Sequence, residues 1–308
     1  MMSRLLGSAR DQRSLAEMIA AGEMVLAPGC YDALGARLVE EAGFPAAYMT
    51  GFGSSAARLG RPDIGLLTLS EMTDNARRIA QAVEIPVIAD ADTGYGNPIN
   101  VVRTIREYEA AGVAAIHLED QVMPKKCGHM DGKQLIGAAE MVSKVKAAVA
   151  ARRSSSFLII ARTDARAPEG LEAAIERARR YRKAGADMLF VEAPQSVQEI
   201  EEIARSFDDV PLLFNYAEGG KTPPVSHEFL RGLGFALVIF PISTLLVATA
   251  AIRAALAQIK RDGSPTALLP SLLPFGEFLE FIGMDEIREL EQRFADQSVQ
   301  QHPEESPR

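Results

Sequence analysis

The residues with the most evident chemistry lie in Val87-Ile88-Ala89-Asp90-Ala91-Asp92-Thr93-Gly94-Tyr95-Gly96. The apolar start reads as a buried strand that ends in two carboxylates and a glycine-rich loop. Residues two apart in an extended strand share a face, so the spacing predicts Asp90 and Asp92 on one side. Two like charges that close are costly unless a cation lies near them. The pair either holds a metal ion or caps the following loop. Comparable polar residues end other apolar runs: Thr50, Glu119, Arg162, Glu192 and Asn215. Their recurrence on successive strands points to one shared site. No His or Cys cluster has zinc spacing. Carboxylate oxygens suit a hard cation, which favours Mg²⁺, with Mn²⁺ as the second candidate.

Cys127 is the other distinctive residue, set in Lys125-Lys126-Cys127-Gly128-His129. Nearby cations lower a thiol pKa and would make Cys127 a proton donor or a nucleophile. The alternative is a loop cysteine with no role, flanked by solvated lysines. His129 poses the same choice. His117, inside a strand, reads as a packing histidine. Lys221, in the turn Ala217-Glu218-Gly219-Gly220-Lys221-Thr222-Pro223, either binds an anion or is solvated; the turn lacks P-loop spacing.

The elements that must position these residues alternate regularly. Strands are expected at 24–27, 46–49, 87–90, 114–118, 157–161, 188–191, 212–214 and 235–240, with helices between them. Residues 50–55 read as a loop of small residues. Ser70 is expected to cap a helix running to about Val83, with Glu71 in its first turn. Helix ends at Gly43, Gly112, Gly185 and Gly234 each precede an apolar strand, a weak internal repeat. Eight such units in about 250 residues predict a parallel (β/α)₈ TIM-type barrel. An open doubly wound sheet is the runner-up, disfavoured because no Gly-x-Gly-x-x-Gly turn follows the first strand. Helices at 242–260, 275–282 and 285–294 follow the barrel. Residues 1–308 are expected to form one barrel domain, led by an amphipathic helix within Met1–Ala21 and closed by a disordered polar tail over Ser298–Arg308.

Composition narrows the function. The chain has 308 residues, 47% hydrophobic, with net charge −8 and no tryptophan. An acidic chain poor in aromatics is unsuited to nucleic-acid binding. No apolar stretch reaches membrane-spanning length and no export signal is evident, so the expected location is the cytoplasm. Two cysteines allow no disulfide framework.

The motifs around His117-Leu118-Glu119-Asp120-Gln121 and Lys125–His129, together with Asp90–Gly96, Ala161-Arg162-Thr163-Asp164-Ala165 and Asn215–Pro223, resemble the isocitrate lyase / phosphoenolpyruvate mutase superfamily over roughly residues 12 to 296. The thiol motif is similar to that of its cysteine-containing lyase branch, which includes methylisocitrate and dimethylmalate lyases. The resemblance implies a barrel whose last helix is exchanged between subunits of a homotetramer, a bound Mg²⁺, and a loop that closes over the substrate. It implies metal-shell roles for Asp90, Asp92 and Glu119, the last partly through water. Thr50 and Gly51 match the loop binding a substrate carboxylate, and Gly128, Arg162, Glu192 and Asn215 match other substrate contacts. Tyr48 matches a tyrosine handling the substrate hydroxyl proton, and Cys127 the acid that protonates the departing carbanion, with His129 beside it.

Carbon–carbon cleavage of a 2-hydroxydicarboxylate to a 2-keto acid and a carboxylate is therefore the expected reaction. Phosphonate chemistry and oxaloacetate cleavage, both found in the superfamily, are the alternatives; a non-catalytic barrel binding a metal-chelated acid is a third. Methylisocitrate lyases resemble Pro-Leu-Ser-Ala-Phe-Arg after the eighth strand, the arginine binding an extra carboxylate. Here the run is Pro241-Ile242-Ser243-Thr244-Leu245-Leu246. Leu246 in place of that arginine predicts a smaller or more apolar dicarboxylate, such as an alkylated malate.

Overall fold

The computed structural model describes residues 13–130 and 132–295. The expected tail over 298–308 and the first part of the lead-in helix lie outside those residues; within them the lead-in helix is Leu15–Ala20. Two compact units are distinguished, Asp11–Ala250 and a second that takes the chain from Ala251 onward.

The first unit is the expected barrel. Eight parallel strands close in sequence order: β1 (Val25–Cys30), β2 (Ala47–Met49), β3 (Val87–Asp90), β4 (Ala115–Glu119), β5 (Leu158–Thr163), β6 (Met188–Val191), β7 (Leu212–Asn215) and β8 (Phe235–Phe240). The four repeating glycines all have φ between 81° and 107°, a left-handed turn that ends a helix cheaply only without a Cβ.

Side-chain alternation divides the strands between two cores. Ile88, Ile160, Phe190 and Leu213 fill the barrel interior with Leu15 and Met18 of the lead-in helix. Ala89, Ile116, Ala161 and Phe214 pack outward against the helices. Each fully buried aliphatic chain contributes about 1.5–3 kcal/mol. The same parity turns Tyr48, Asp90, His117, Glu119, Arg162 and Asn215 inward at the C-terminal strand ends, where Asp90 is paired with His117 and Glu119 with Arg162.

Three local expectations need correction. Residues 50–55 are not a loop. Thr50 caps the helix Gly51–Leu59 by accepting the Gly53 N–H at 3.2 Å. Its small residues are required by close packing: a Cβ on Gly51 would overlap Asp90 Oδ2. The next helix, Leu69–Ala82, is capped by Thr68 rather than Ser70, with Glu71 Oε2 accepting the Thr68 N–H at 2.8 Å. Strand alternation also does not reach Asp92. β3 stops at Asp90, and Asp92 turns out of the strand with φ 48°.

The second unit contains most of the helix Ser243–Asp262, a 3₁₀ turn Thr266–Ser271, and helices Phe275–Phe281 and Met284–Phe294. None of these segments has a buried residue.

Candidate active site

A cavity of about 220 Å³ opens at the C-terminal ends of the strands, lined by Tyr48, Thr50, Asp90, Cys127, Gly128, His129, Arg162, Glu192 and Asn215 of the expected residues. Gly51, Asp92 and Glu119 stand behind that lining. Gly51 backs Asp90. The Asp92 N–H donates to Asp90 Oδ1 at 2.9 Å. Glu119 Oε2 lies 3.3 Å from Arg162 Nε.

Arg162 is held from several sides. Its Nε and Nη2 donate to the two oxygens of Asp164 at 2.9 and 3.1 Å, and its guanidinium lies 5.0 Å from the centre of the Phe190 ring. Asp164 is fixed by Asp120, which accepts the Asp164 N–H at 2.9 Å, the Thr163 hydroxyl at 2.8 Å and the Tyr181 hydroxyl at 2.7 Å. Despite burial, Arg162 and Lys133 hold the Asp164 carboxyl down to about 2. At the strand ends, Ala193 beside Glu192 has φ 55°, a strained conformation for a residue with a Cβ.

Glu192 joins strand floor and loop. Its two oxygens each accept from Asn215 Nδ2 at 3.2 Å, and its Oε1 also lies 3.2 Å from His129 Nε2. The Lys221 N–H donates to His129 Nδ1 at 3.1 Å. Only an unprotonated Nδ1 can accept it, so the ring proton sits on Nε2, facing Glu192. The glycine-rich turn thus acts through the backbone of Lys221.

The environment of Cys127 differs from the sequence expectation. Its thiol is pushed up to about 11 by burial, with the charges of Glu192 and Asp63 adding. The expected lowering by flanking lysines fails because Lys125 turns away. Lys125 Nζ is 2.6 Å from Asp63 and 2.8 Å from Asp92 Oδ1, all buried. Cys127 is therefore a protonated thiol at neutral pH.

Sequence reasoning gave no role to Asp63, Lys133 or Asp164, and read His117 as packing. His117 Nε2 is 2.8 Å from the Tyr48 hydroxyl, and its Nδ1 is 3.8 Å from Asp90 Oδ1. Burial lowers the ring to about 4, so it is neutral. Its place two residues before Glu119 on the same strand, and so on the same inward face, was the available signal.

The donors at Asp90, Asp92 and Glu119 suit a hard divalent ion. Glu119 Oε1 is buried without a hydrogen-bond donor, and Asp92 Oδ1 is buried against the Lys125 ammonium at 2.8 Å. Burial pushes the Asp92 carboxyl up to about 6, and raises that of Glu119 well above its usual range. The cavity lining also sets Asp63, Asp90, Glu192 and Glu218 against Lys125 and Arg162, an excess of acid that a cation would offset for an entering dianion. Among the described residues no group of three or more His, Cys, Asp or Glu is close enough to ligate one ion together. An ion here would be held partly through water. Leu246, 47% exposed, does not line the cavity; after β8 the wall is Pro241 and Ile242.

A closed parallel barrel with its polar residues converging on the strand ends defines an enzyme-type (β/α)₈ fold. The chain belongs to the phosphoenolpyruvate phosphomutase family, whose sequence profile matches residues 15–260. It is 46% identical to a 2,3-dimethylmalate lyase of Eubacterium barkeri over 279 residues, 91% of this chain and 96% of that protein. It is 47% identical to a 2-methylisocitrate lyase of Aeropyrum pernix over 269 residues, 87% of this chain and 86% of the relative. Among solved structures, a 2,3-dimethylmalate lyase of the PEP mutase/isocitrate lyase superfamily superposes with TM-score 0.87 at 38% identity, covering 94% of this chain and 97% of that one. A phosphonopyruvate hydrolase in complex with oxalate and Mg²⁺ superposes with TM-score 0.83 at 31% identity, covering 92% and 99%.

Proposed function

We propose that this protein is a Mg²⁺-dependent carbon–carbon lyase that cleaves an alkylmalate- or methylisocitrate-like 2-hydroxydicarboxylate to a 2-keto acid and a carboxylate. The observation that carries the proposal is a buried, protonated thiol in the same cavity as Arg162, Glu192 and Asn215. The family's lyases supply the reaction class.

The residues divide the work. The helix beginning at Thr50-Gly51 offers its first-turn N–H groups to one substrate carboxylate. Mg²⁺ held by Asp90, Asp92 and Glu119 would polarise the substrate's hydroxyl and carboxylate oxygens. Tyr48 Oη takes the hydroxyl proton as its own passes to His117 Nε2, 2.8 Å away. The released oxygen pair forms the keto group, and the electrons of the breaking carbon–carbon bond pass to the leaving enolate. Arg162 balances its charge, and Asn215 and His129 hold Glu192 in place beside it. Cys127 Sγ–H then protonates the carbon; after release solvent reprotonates the thiolate and His117 gives up the relayed proton, returning to its neutral form.

The Ala217, Pro241 and Ile242 wall and the lack of an arginine at 246 favour an alkylated malate over a tricarboxylate. Exposed Val247, Ile252 and Leu256 on the helix Ser243–Asp262, and Phe275 at 76% exposure, support an arm that completes the domain by exchange between subunits of a homotetramer. A catalytic thiol must stay reduced, which suits the cytoplasm; no described helix is long and apolar enough to cross a membrane. The test is keto-acid release from a panel of 2-hydroxydicarboxylates with Mg²⁺. Turnover of 2,3-dimethylmalate is expected to exceed that of 2-methylisocitrate. Efficient turnover of 2-methylisocitrate would overturn the size argument, and no keto acid from any member would overturn the lyase assignment.

A further inference from the structure

The loop from Gln121 to Gly137 carries Cys127, and its neck is pinned. Val122 N–H bonds Gln134 O at 2.8 Å, Ile136 N–H bonds Asp120 O at 2.9 Å, and the Gln121 amide accepts the Lys126 N–H and donates to its carbonyl at 2.9 and 2.8 Å. Lys133 is different, because it ties the far part of the loop to the barrel floor. Its side chain is almost wholly buried, and its ammonium donates to the Gly128 carbonyl and to Asp164 Oδ1, the latter at 3.1 Å. Asp164 Oδ1 also accepts from Arg162 Nη2. One carboxylate therefore bridges a cation on the floor and a cation on the loop.

We propose that Lys133 is a positioning residue that latches the thiol-bearing loop shut, by joining the carbonyl beside Cys127 to the carboxylate that holds Arg162. Asp164 makes a dependable anchor because Asp120 fixes its backbone and Arg162 grips both its oxygens. The loop meets the floor at the same residue, since the space a Cβ would take on Gly128 is filled by Glu192 Oε1 and Arg162 Nη2. Pinned on one side by Lys133 and seated on the other against this pair, the residue after Cys127 has one position. Opening the loop would pull Lys133 from Asp164 and leave a buried carboxylate short of a donor, so closure and the charge balance around Arg162 are coupled.

The effect on turnover rests on the assignment of Cys127 as the acid; the latch itself is measured separately. Iodoacetamide modification of Cys127 would be followed in the full-length protein by peptide mass spectrometry, which scores Cys30 separately, with and without Mg²⁺ and oxalate as the probe. In the parent, the probe is expected to slow modification by about tenfold. Lys133→Met should lose that protection and lower kcat by roughly 10–100-fold, with KM moving much less. Lys133→Arg should regain part of both. If Lys133→Met does not fold, Lys133→Gln keeps an N–H for Gly128 without a charge for Asp164, and the same loss is expected. Parental protection in a folded Lys133→Met or Lys133→Gln protein overturns the latch, whatever happens to kcat. Lost protection alongside a fully active Cys127→Ser enzyme would uphold the latch while removing the acid role.

Discussion

Replacing Cys127 with serine tests the centre of the mechanism. With its thiol pushed up to about 11, only roughly one Cys127 in ten thousand is ionised at pH 7. That is a poor resting nucleophile and a well-retained proton. A positioned general acid contributes about 10²–10⁴ in rate, or roughly 3–5 kcal/mol at 1.36 kcal/mol per tenfold. A serine hydroxyl is a far weaker acid in the same space, so kcat should fall by that range with KM little changed. In the proposed role the working form is the protonated one, so activity should be present below the thiol pKa and lost as pH rises through it. In the parent, the limb attributable to Cys127 should appear only near pH 11. The alkylation rate of Cys127 should keep climbing, about tenfold per pH unit, up to the same point. The assay is keto-acid release from pH 6 to 10 with Mg²⁺, paired with iodoacetamide kinetics. A Cys127→Ser enzyme within about threefold of the parent, or an alkylation inflection between roughly pH 6 and 8, would refute the reasoning.

Gly128→Ala should reduce kcat by about 10² while the protein still folds, because the new methyl displaces Glu192 and Arg162; circular dichroism and steady-state kinetics separate the two effects. Asp164→Asn breaks buried pairs with Arg162 and Lys133 and should cost about 3–5 kcal/mol by urea unfolding at pH 7. Because the fold depresses the Asp164 carboxyl to about 2, its stabilisation is present above pH ~4 and fades as pH falls toward 2, so parent and variant should converge there. Burial raises the Asp92 carboxyl to about 6, so its charge is a penalty above that pH, relieved by protonation as pH falls toward its unfolded value near 4. Mg²⁺ requires the charged form. Its thermal stabilisation should therefore be larger at pH 7.5 than at pH 5, and chelation should abolish turnover; equal shifts at both pH values would count against Asp92 as a ligand.

The barrel was legible because its signals are local: apolar runs of strand length, helix-ending glycines and a regular alternation. The site was legible for a related reason. Strand parity turns Asp90, Arg162 and Asn215 inward together, so polar residues at strand ends could be read as one constellation. Parity failed at Asp92, where the chain leaves the strand in a left-handed turn. Gly51, Gly53 and the serines after them looked like loop, although close packing against Asp90 and Tyr31 is what excludes larger side chains from that helix. Asp63, which pairs with Lys125, and Asp164, which pairs with Lys133, lie 62 and 31 residues away, and no local pattern reports them. Cys127 shows the consequence. Its lysine neighbours suggested a lowered pKa, but Lys125 is engaged with Asp63 and Asp92, and desolvation prevails.

Cys127, the proton donor we propose, lies on the segment after β4, whereas Pro241 and Ile242 follow β8, diametrically across an eight-membered ring. In that reading the thiol-bearing loop and this apolar part of the wall sit on opposite arcs. Substitutions on the β8 side can reshape which acid fits without unsettling the delivery of hydrogen. A lineage, or an engineer, could retune the appetite of this enzyme one arc at a time.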